Sequence, residues 1–358
     1  MVGAAPTVAL VALSVRGAMG QYVEALGEAL SRLARVHLFV PDHFSGDVGQ
    51  CEVHGFPTGR SRLEAFSRLA NPVLGRGLWT RIRSVRPDIV HLFNGEGYPW
   101  GLLVAGWAQS SGLPLVVTVH DPEPHPGDRL DAVNAALRPW TLRRASIVHV
   151  HSRVFAPRVQ SQGVPAERLR VIPHGSLAPR FTRYCRGHIP REPLALFFGR
   201  VLPYKGLDVL VAAASLLRGK LRVAIAGPGR IPEQLLWRIR SEPETFELHA
   251  EYLDDRHVAT LFQRSAVCVM PYLQASQSSL PLIAAGFRVP VVASAVGALV
   301  EDVARVGGIL VQPGEPEALA AGILAALDRC PVYPADLDFG RLAHRYLELY
   351  LDAVGIRR

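Results

Sequence analysis

Short runs of consecutive apolar residues alternate along this chain with segments whose apolar residues recur at helical spacing. The first run, residues 8–14, is followed by a loop at 16–20. Residues 21–33 then place Tyr22, Leu26, Ala29 and Leu30 on one helical face. Strand, loop and helix in that order make one β-loop-α unit. Further strands are predicted at 36–40, 88–93, 115–119 and 146–150, with helical material at 60–85 broken near Pro72. The last three strands close on polar residues at their carboxyl ends, where open α/β sheets bind ligands. A second series starts at 194–198, passes through a helix at about 206–217, and reaches a strand at 222–226. Such runs, separated by helical segments, indicate parallel sheets covered by helices.

The stretch 270–303 departs most from what packing requires. A strand ends at Pro271, residues 280–287 form an Ala-rich helix stopped by Pro290, and 291–293 is a buried strand. Between them lies a polar core, residues 274–279. A loop entering a helix exposes backbone N–H groups and a positive dipole end, so Ser276, Gln277 and Ser278 are placed to hold an anionic or polyhydroxyl ligand. The plainer reading is that a serine only caps the helix.

Upstream, Phe198-Gly199-Arg200 and Lys205-Gly206 set two cations five residues apart on a strand-to-helix turn flanked by glycines. Backbone and both side chains can then approach one diphosphate. Lys205 is one of only two lysines. Gly227-Pro228-Gly229 closes the next strand, but Pro232 stands where a dinucleotide fingerprint needs a third glycine, which argues against a nicotinamide site. The loop from Gly17 to Gly20 likewise lets backbone come close to a ligand. His120 and Asp121 follow a buried strand and lead into a Pro-rich loop containing His125. A strand-end histidine is ordinarily a satisfied structural residue; the adjoining Asp and rigid loop favour a functional one.

The order Pro271-Tyr272, Ala275-Ser276-Gln277-Ser278, Pro290-Val291-Val292-Ala293-Ser294, Gly297 and Glu301 resembles the donor-site segment of retaining glycosyltransferases of family 4, in their SQSG-type subgroup. The resemblance implies the α/β GT-B fold, two Rossmann-like domains facing a central cleft. Its expected parts are an acceptor-binding domain at 1–180, a nucleotide-sugar domain at 181–338, and a helix at 339–358 crossing back to the first domain. The irregular, basic stretch 176–193 is expected to be the linker between them.

The resemblance further implies that Arg200 and Lys205 neutralise the departing nucleotide diphosphate, and that His120 takes the place of a functional histidine. Gly17 and Gly20 would face the sugar phosphate, with Gly199 and Gly227 also at the donor. Ser276, Gln277 and Ser278 would bind donor hydroxyls or phosphate, and Glu301 the ribose or the loop beneath it. His174 would hold backbone or close the cleft at the domain junction. The chain departs from the family's Glu-x7-Glu pair, having Gln274 and Ala275 in the region of the first glutamate and Ile283 at the second. It also differs from the SQSG-type subgroup at Gln274, Ser279 and Arg288. The implied function is retaining hexosyl transfer from a nucleotide-diphosphate sugar to a saccharide or lipid-linked acceptor, in cell-surface glycan synthesis. The alternative is a non-catalytic nucleotide-sugar-binding protein; an epimerase would need a set of cleft carboxylates that the sequence does not offer.

Composition narrows these readings. At 358 residues with 49% hydrophobic content, two domains with large cores are expected. The four cysteines form no CxxC pair, which suggests neither a disulfide framework nor a zinc site, and apart from the DxD at 336–338 no carboxylate or His cluster has ligand spacing along the sequence. Asp336-Leu337-Asp338 has the form of a metal-binding DxD but precedes the last helix, where an Asp caps, so no metal cofactor is expected. The run 7–15 reads as a first strand rather than a signal-peptide core, and no apolar run reaches the ~20 residues that span a bilayer. A cytoplasmic protein is expected. Net charge is +8, and the basic excess falls in residues 1–180. There Arg60, Arg62, Arg68, Arg76, Arg81, Arg83 and Arg86 alternate with apolar residues. That segment is either a surface for anionic lipid on the inner face of the membrane or a solvated helix pair with its apolar side in the core. No nucleic-acid-binding module accompanies the charge.

Overall fold

The computed structural model describes residues 5–59, 62–123, 129–185, 187 and 189–355; Arg60 and His125 lie outside them. The chain divides into two compact units, one comprising Met1–Gly175 with Asp336–Arg358 and the other Ser176–Ala335.

The first unit is built on seven strands: β1 (Thr7–Ala12), β2 (Arg35–Pro41), β3 (Glu52–Phe56), β4 (Ile89–Asn94), β5 (Leu115–Val119), β6 (Ile147–Val150) and β7 (Leu169–Val171). They pair in the order β3-β2-β1-β4-β5-β6-β7, every pair parallel. Helices α1 (Ala18–Leu30), α2 (Arg62–Leu69), α3 (Pro72–Ser84), α4 (Pro99–Ser110), α5 (Arg129–Leu142) and α6 (Ala156–Gln160) connect them. Strands β1, β4, β5 and β6 are buried almost throughout, as continuous apolar runs require.

The second unit opens with α7 (Ala178–Thr182). Its strands are β8 (Leu194–Phe198), β9 (Arg222–Ala226), β10 (Phe246–His249), β11 (Val267–Met270), β12 (Val291–Ser294) and β13 (Ile309–Val311). They form a parallel sheet in the order β10-β9-β8-β11-β12-β13. Its other helices are α8 (Leu207–Leu216), α9 (Glu233–Ser241), α10 (Asp255–Arg264), α11 (Leu280–Gly286), α12 (Leu299–Arg305) and α13 (Pro316–Ala326). Asp254 caps α10, its carboxylate accepting from the Arg256 and His257 N–H groups at 3.0 and 2.9 Å.

The last helix, α14 (Phe339–Gly355), belongs to the first unit. Leu342, Tyr346, Leu349 and Tyr350 are buried on one stripe, and Tyr346 Oη lies 3.1 Å from Tyr22 Oη on α1. The stretch 176–193, expected as a linker, is instead part of the second unit. Leu177, Ala178 and Phe181 are buried, and Arg180 Nε pairs with Asp255 on α10 at 2.9 Å. Three apolar side chains in a short helix are enough to anchor a segment that looks irregular and basic by composition.

In both sheets the strand order reverses once, between β1 and β4 and between β8 and β11. Carboxyl ends of strands at such a reversal leave a crevice in which α/β proteins bind ligands.

Candidate functional site

In the second unit the loops leaving β8, β9 and β11 interlock at the reversal. Gly199 N–H donates to Ala226 O at 2.9 Å and Val201 N–H to Pro228 O at 2.8 Å, tying the first two loops together. Leu273 N–H donates to Tyr204 O at 2.7 Å, tying the third to the first. The approach is close enough to demand glycine. A Cβ on Gly227, whose φ is 134°, would drive into the Gly199 carbonyl, and one on Gly206, at φ 64°, into the Pro271 carbonyl.

Lys205 folds back into this knot. Its ammonium lies 3.0 Å from where a Cβ on Gly199 would stand and 4.8 Å from the centre of the Tyr272 ring. Burial, joined by repulsion from the Arg200 guanidinium, lowers its pKa to about 8. Arg200 itself is exposed. Two cations of the same sign have thus been brought together, one largely desolvated, beside the amino end of α8. An arrangement that costs energy on its own is what a preorganised anion site looks like.

Gln277 adds an independent mark. Both amide atoms, Oε1 and Nε2, are buried and form no hydrogen bond, although buried polar groups are nearly always satisfied. Ser278 Oγ accepts from Leu280 N–H at 3.3 Å from just outside α11, whose N-cap, Ser279, makes no side-chain cap bond. Ser276 is half-buried in the same loop. Glu301 lies in the first turn of α12, half-buried. Its neighbour Asp302, which sequence reasoning passed over, is the buried member of the pair, and burial raises its carboxyl pKa to about 7. The adjacent acids at 301 and 302 were the available signal.

In the first unit the β1 and β4 loops are joined through Asn94, whose side chain accepts from Ser14 N–H at 3.0 Å and donates to Ser14 O at 2.8 Å. Gly17, at φ 61°, is the residue before α1 and makes no side-chain cap, leaving that helix end open. Gly20 sits in the first turn, its N–H donating to Gly17 O at 3.3 Å.

His120 is buried at the end of β5. Its Nε2 lies 2.9 Å from Phe93 O and its Nδ1 3.1 Å from His151 Nε2, whose other nitrogen is 3.1 Å from Ile172 O. Two carbonyls bound a row of three hydrogen-bond slots, and two neutral imidazoles bring only two protons. Burial, reinforced by His174 and His149, drives the His120 pKa to about 3, so no third proton is added near neutrality. With both ring nitrogens turned to protein, His120 positions the ends of β4, β5 and β6 and offers no free acid or base. Beside it, Tyr350, His91, Thr118 and His149 form a chain with contacts of 2.8, 2.8 and 2.9 Å. Because His149 Nε2 faces Ile172 O at 3.0 Å and must donate, each hydroxyl and imidazole in that chain donates in one direction, outward to inward from Tyr350. His174 Nδ1 donates to Gly175 O at 2.8 Å. A buried Glu96–Arg138 pair at 3.0 Å also escaped the sequence reading; Arg138 donates to Pro122 O at 2.8 Å and so holds the loop that follows His120.

The Arg-rich segment has its apolar side inward: Leu78, Trp79 and Ile82 of α3 are buried, while Arg76, Arg81, Arg83 and Arg86 are exposed. No helix among the described residues is long and apolar enough to cross a membrane.

Two family descriptions match the chain, a glycosyl transferase 4-like domain over residues 17–175 and glycosyl transferases group 1 over residues 192–329. No curated protein sequence shows significant similarity. Among solved structures, the chain is similar to a sucrose-phosphate synthase from Thermosynechococcus elongatus, with 21% identity, TM-score 0.70, and 98% and 96% of the two chains covered. It is also similar to the catalytic domain of starch synthase IV from Arabidopsis thaliana, bound to ADP and acarbose, with 15% identity, TM-score 0.73 and coverage of 98% and 100%. Anabaena HepE in complex with UDP and glucose matches at 18% identity, TM-score 0.66 and coverage of 98% and 97%. At these identities the likeness shows the fold. Together the domain matches and the fold show that the chain belongs to the GT-B glycosyltransferases.

Proposed function

We infer that this glycosyltransferase moves a hexose from a nucleotide-diphosphate donor to a saccharide or lipid-linked acceptor, with retention at the anomeric carbon, in cell-surface glycan synthesis. The observation that carries the reading is the pairing of Lys205, desolvated and repelled by Arg200, with the glycine-lined knot at the β8–β11 reversal. A diphosphate entering there offsets the repulsion and receives N–H groups from the amino end of α8. The orphaned amide of Gln277 then meets donor hydroxyls or phosphate oxygens. Two of the similar proteins were solved with a nucleoside diphosphate and a sugar ligand, which supports the same ligand class here.

In the transfer step the bond between the anomeric carbon and the phosphate oxygen breaks, and its electron pair stays with the diphosphate. Lys205 and Arg200 stabilise the charge that develops on that oxygen. Side chains then supply what a metal gives in other transferases, so no metal takes part in the chemistry. Ser276, Ser278 and Glu301 bind the donor's sugar and ribose side, and Gly17 and Gly20 leave the open end of α1 for phosphate. His120 acts as a positioning residue. The first unit takes the acceptor, with its exposed arginines favouring one carried at the cytoplasmic face of a membrane.

The missing carboxylates at Gln274 and Ile283 favour one rival, a protein that binds nucleotide sugars without turning them over. A binding screen of uridine, guanosine and adenosine diphosphates and their sugars, followed by turnover of whichever donor binds in the presence of a chelator, separates the two. Saturable binding with slow hydrolysis or transfer supports the enzyme. Binding with no turnover under any condition supports the rival, and no binding refutes both.

A further inference from the structure

We propose that His37, Glu52 and His54 form a site for a divalent transition-metal ion of the zinc class, at the edge of the first unit's sheet and apart from the donor chemistry. Strands β2 and β3 are in parallel register with His37 opposite Glu52 and Phe39 opposite His54. Side chains two apart on a strand share a face, so all three project from one side of the outermost strand pair. His37 Nδ1 lies 3.1 Å from His54 Nε2 and 3.3 Å from a Glu52 oxygen, and the other Glu52 oxygen lies 3.6 Å from His54 Nε2. Ligand atoms at about 2.0–2.1 Å from a tetrahedral ion stand about 3.3 Å apart. The two nitrogens, and each nitrogen with one of the Glu52 oxygens, stand near that spacing, and one ligand atom from each of the three residues lies within 4.8 Å of the other two. Among the described residues this is the only set of three or more His, Cys, Asp or Glu groups close enough to share an ion.

The donor set chooses the metal. Two imidazoles and one carboxylate suit zinc, cobalt, nickel or copper, whereas calcium and magnesium ask for oxygen ligands throughout. His37 is buried and His54 is clamped flat against Phe39, with ring centres 4.6 Å apart and planes at 16°. Both rings are therefore fixed in place. Burial lowers both pKa values, outweighing the Glu52 carboxylate, which raises them; Arg35 at His37 and Arg81 at His54 also oppose protonation, and the imidazoles are left with lone pairs to give. One proton lies between His37 Nδ1 and His54 Nε2; an ion takes its place, and that proton moves to the other nitrogen of the ring that carried it, which in His37 is the buried and unpartnered Nε2. Glu52, exposed, closes the site from the solvent side and leaves a fourth position for water. The ion would staple the edge strand β3, which has a neighbour on one side only, to β2.

The untagged chain, stripped with chelator and titrated with Co2+ and then Zn2+, tests this. The expected result is one ion per chain, visible absorption of tetrahedral cobalt that zinc displaces, and a thermal midpoint that rises with zinc. Glu52→Gln, at an exposed position, should weaken binding by about 10-fold or more, and His54→Ala by about 100-fold or more, with unchanged circular dichroism in both. Absence of saturable binding would overturn the site. So would equal stoichiometry and affinity in both variants, which would put the ion on other histidines or on the free cysteines and leave these three side chains as a hydrogen-bonded strand edge.

Discussion

Replacing Lys205 by Met should make the protein more stable and much less active. The fall in the Lys205 pKa from 10.5 to about 8 means that its ammonium is held against its preference. At ~1.4 kcal/mol per unit, the charged form is disfavoured by about 3 kcal/mol, as an order of magnitude. Methionine keeps the length and most of the volume of the side chain, retains contact with Tyr272, and removes the charge. A gain of about 1–3 kcal/mol at pH 7 follows, or several degrees in the melting temperature of a unit this size. The pH dependence gives the sharper test. Because the folded pKa lies below the unfolded one, the penalty is present in full below about pH 8. It disappears as pH rises from there towards 10.5. The advantage of the Met variant should therefore hold up to about pH 8 and shrink from there towards about pH 10, read as the difference in denaturant midpoints. Turnover at saturating acceptor should fall ~100-fold or more, as loss of one preorganised charge at a developing anion typically costs. A Met variant that is less stable than the parent at pH 7, or as active, would refute the idea of a strained cation waiting for a diphosphate.

Arg200→Ala should also lower turnover ~100-fold, and by removing its repulsion should raise the Lys205 pKa, measurable by NMR of the lysine side chain. Gln277→Ala should weaken donor binding by about 10-fold in calorimetry while leaving the melting temperature within about a degree or raising it, since its amide has no partner to lose. Changing Arg68, Arg76 and Arg83 to Ser should reduce co-sedimentation with anionic vesicles, at about 1 kcal/mol per engaged arginine, and salt should do the same to the parent chain; equal sedimentation with neutral lipid would point to a soluble acceptor.

Of the thirteen strands among the described residues nine stand out in the sequence, and the four that do not are β3, β7, β10 and β13, the outer strands of the two sheets. The reason is physical. An inner strand is covered on both faces and reads as an unbroken apolar run, whereas β7 and β13 are half-buried along their whole length and β3 carries Glu52 and His54. The candidate metal ligands escaped for the same cause: they sit on a strand that does not look like one. The loop knot around Lys205 was legible because its demands are local, a glycine here and a cation five residues on. The histidine network was not, since His91, His120, His149, His151 and His174 are scattered through the sequence and meet only when β4, β5 and β6 lie side by side. Arg288 marks a middle case. It stands where the family commonly has glycine, and its φ of 57° shows why glycine suits that turn.

The missing donor-site glutamates turn on one residue. Ile283 is buried in the middle of α11, flanked by Leu280, Leu282, Ala284 and Ala285, all buried as well. A carboxylate at that position would be taken out of water in an apolar setting, where it costs several kcal/mol or protonates. Hydrocarbon fills the place, and the unmet polar capacity in the preceding loop is that of the Gln277 amide. On this view the chain recognises its donor through a neutral group, and restoring the family residue should harm it. Ile283→Glu should lower stability by about 2–4 kcal/mol, with Ile283→Gln losing less, and neither should raise donor affinity or turnover. Melting curves and initial rates on the same preparations decide the matter. A tenfold gain in turnover for Ile283→Glu with the melting temperature intact would mean that position 283 faces the donor after all, and that the chain has lost a ligand contact rather than replaced it.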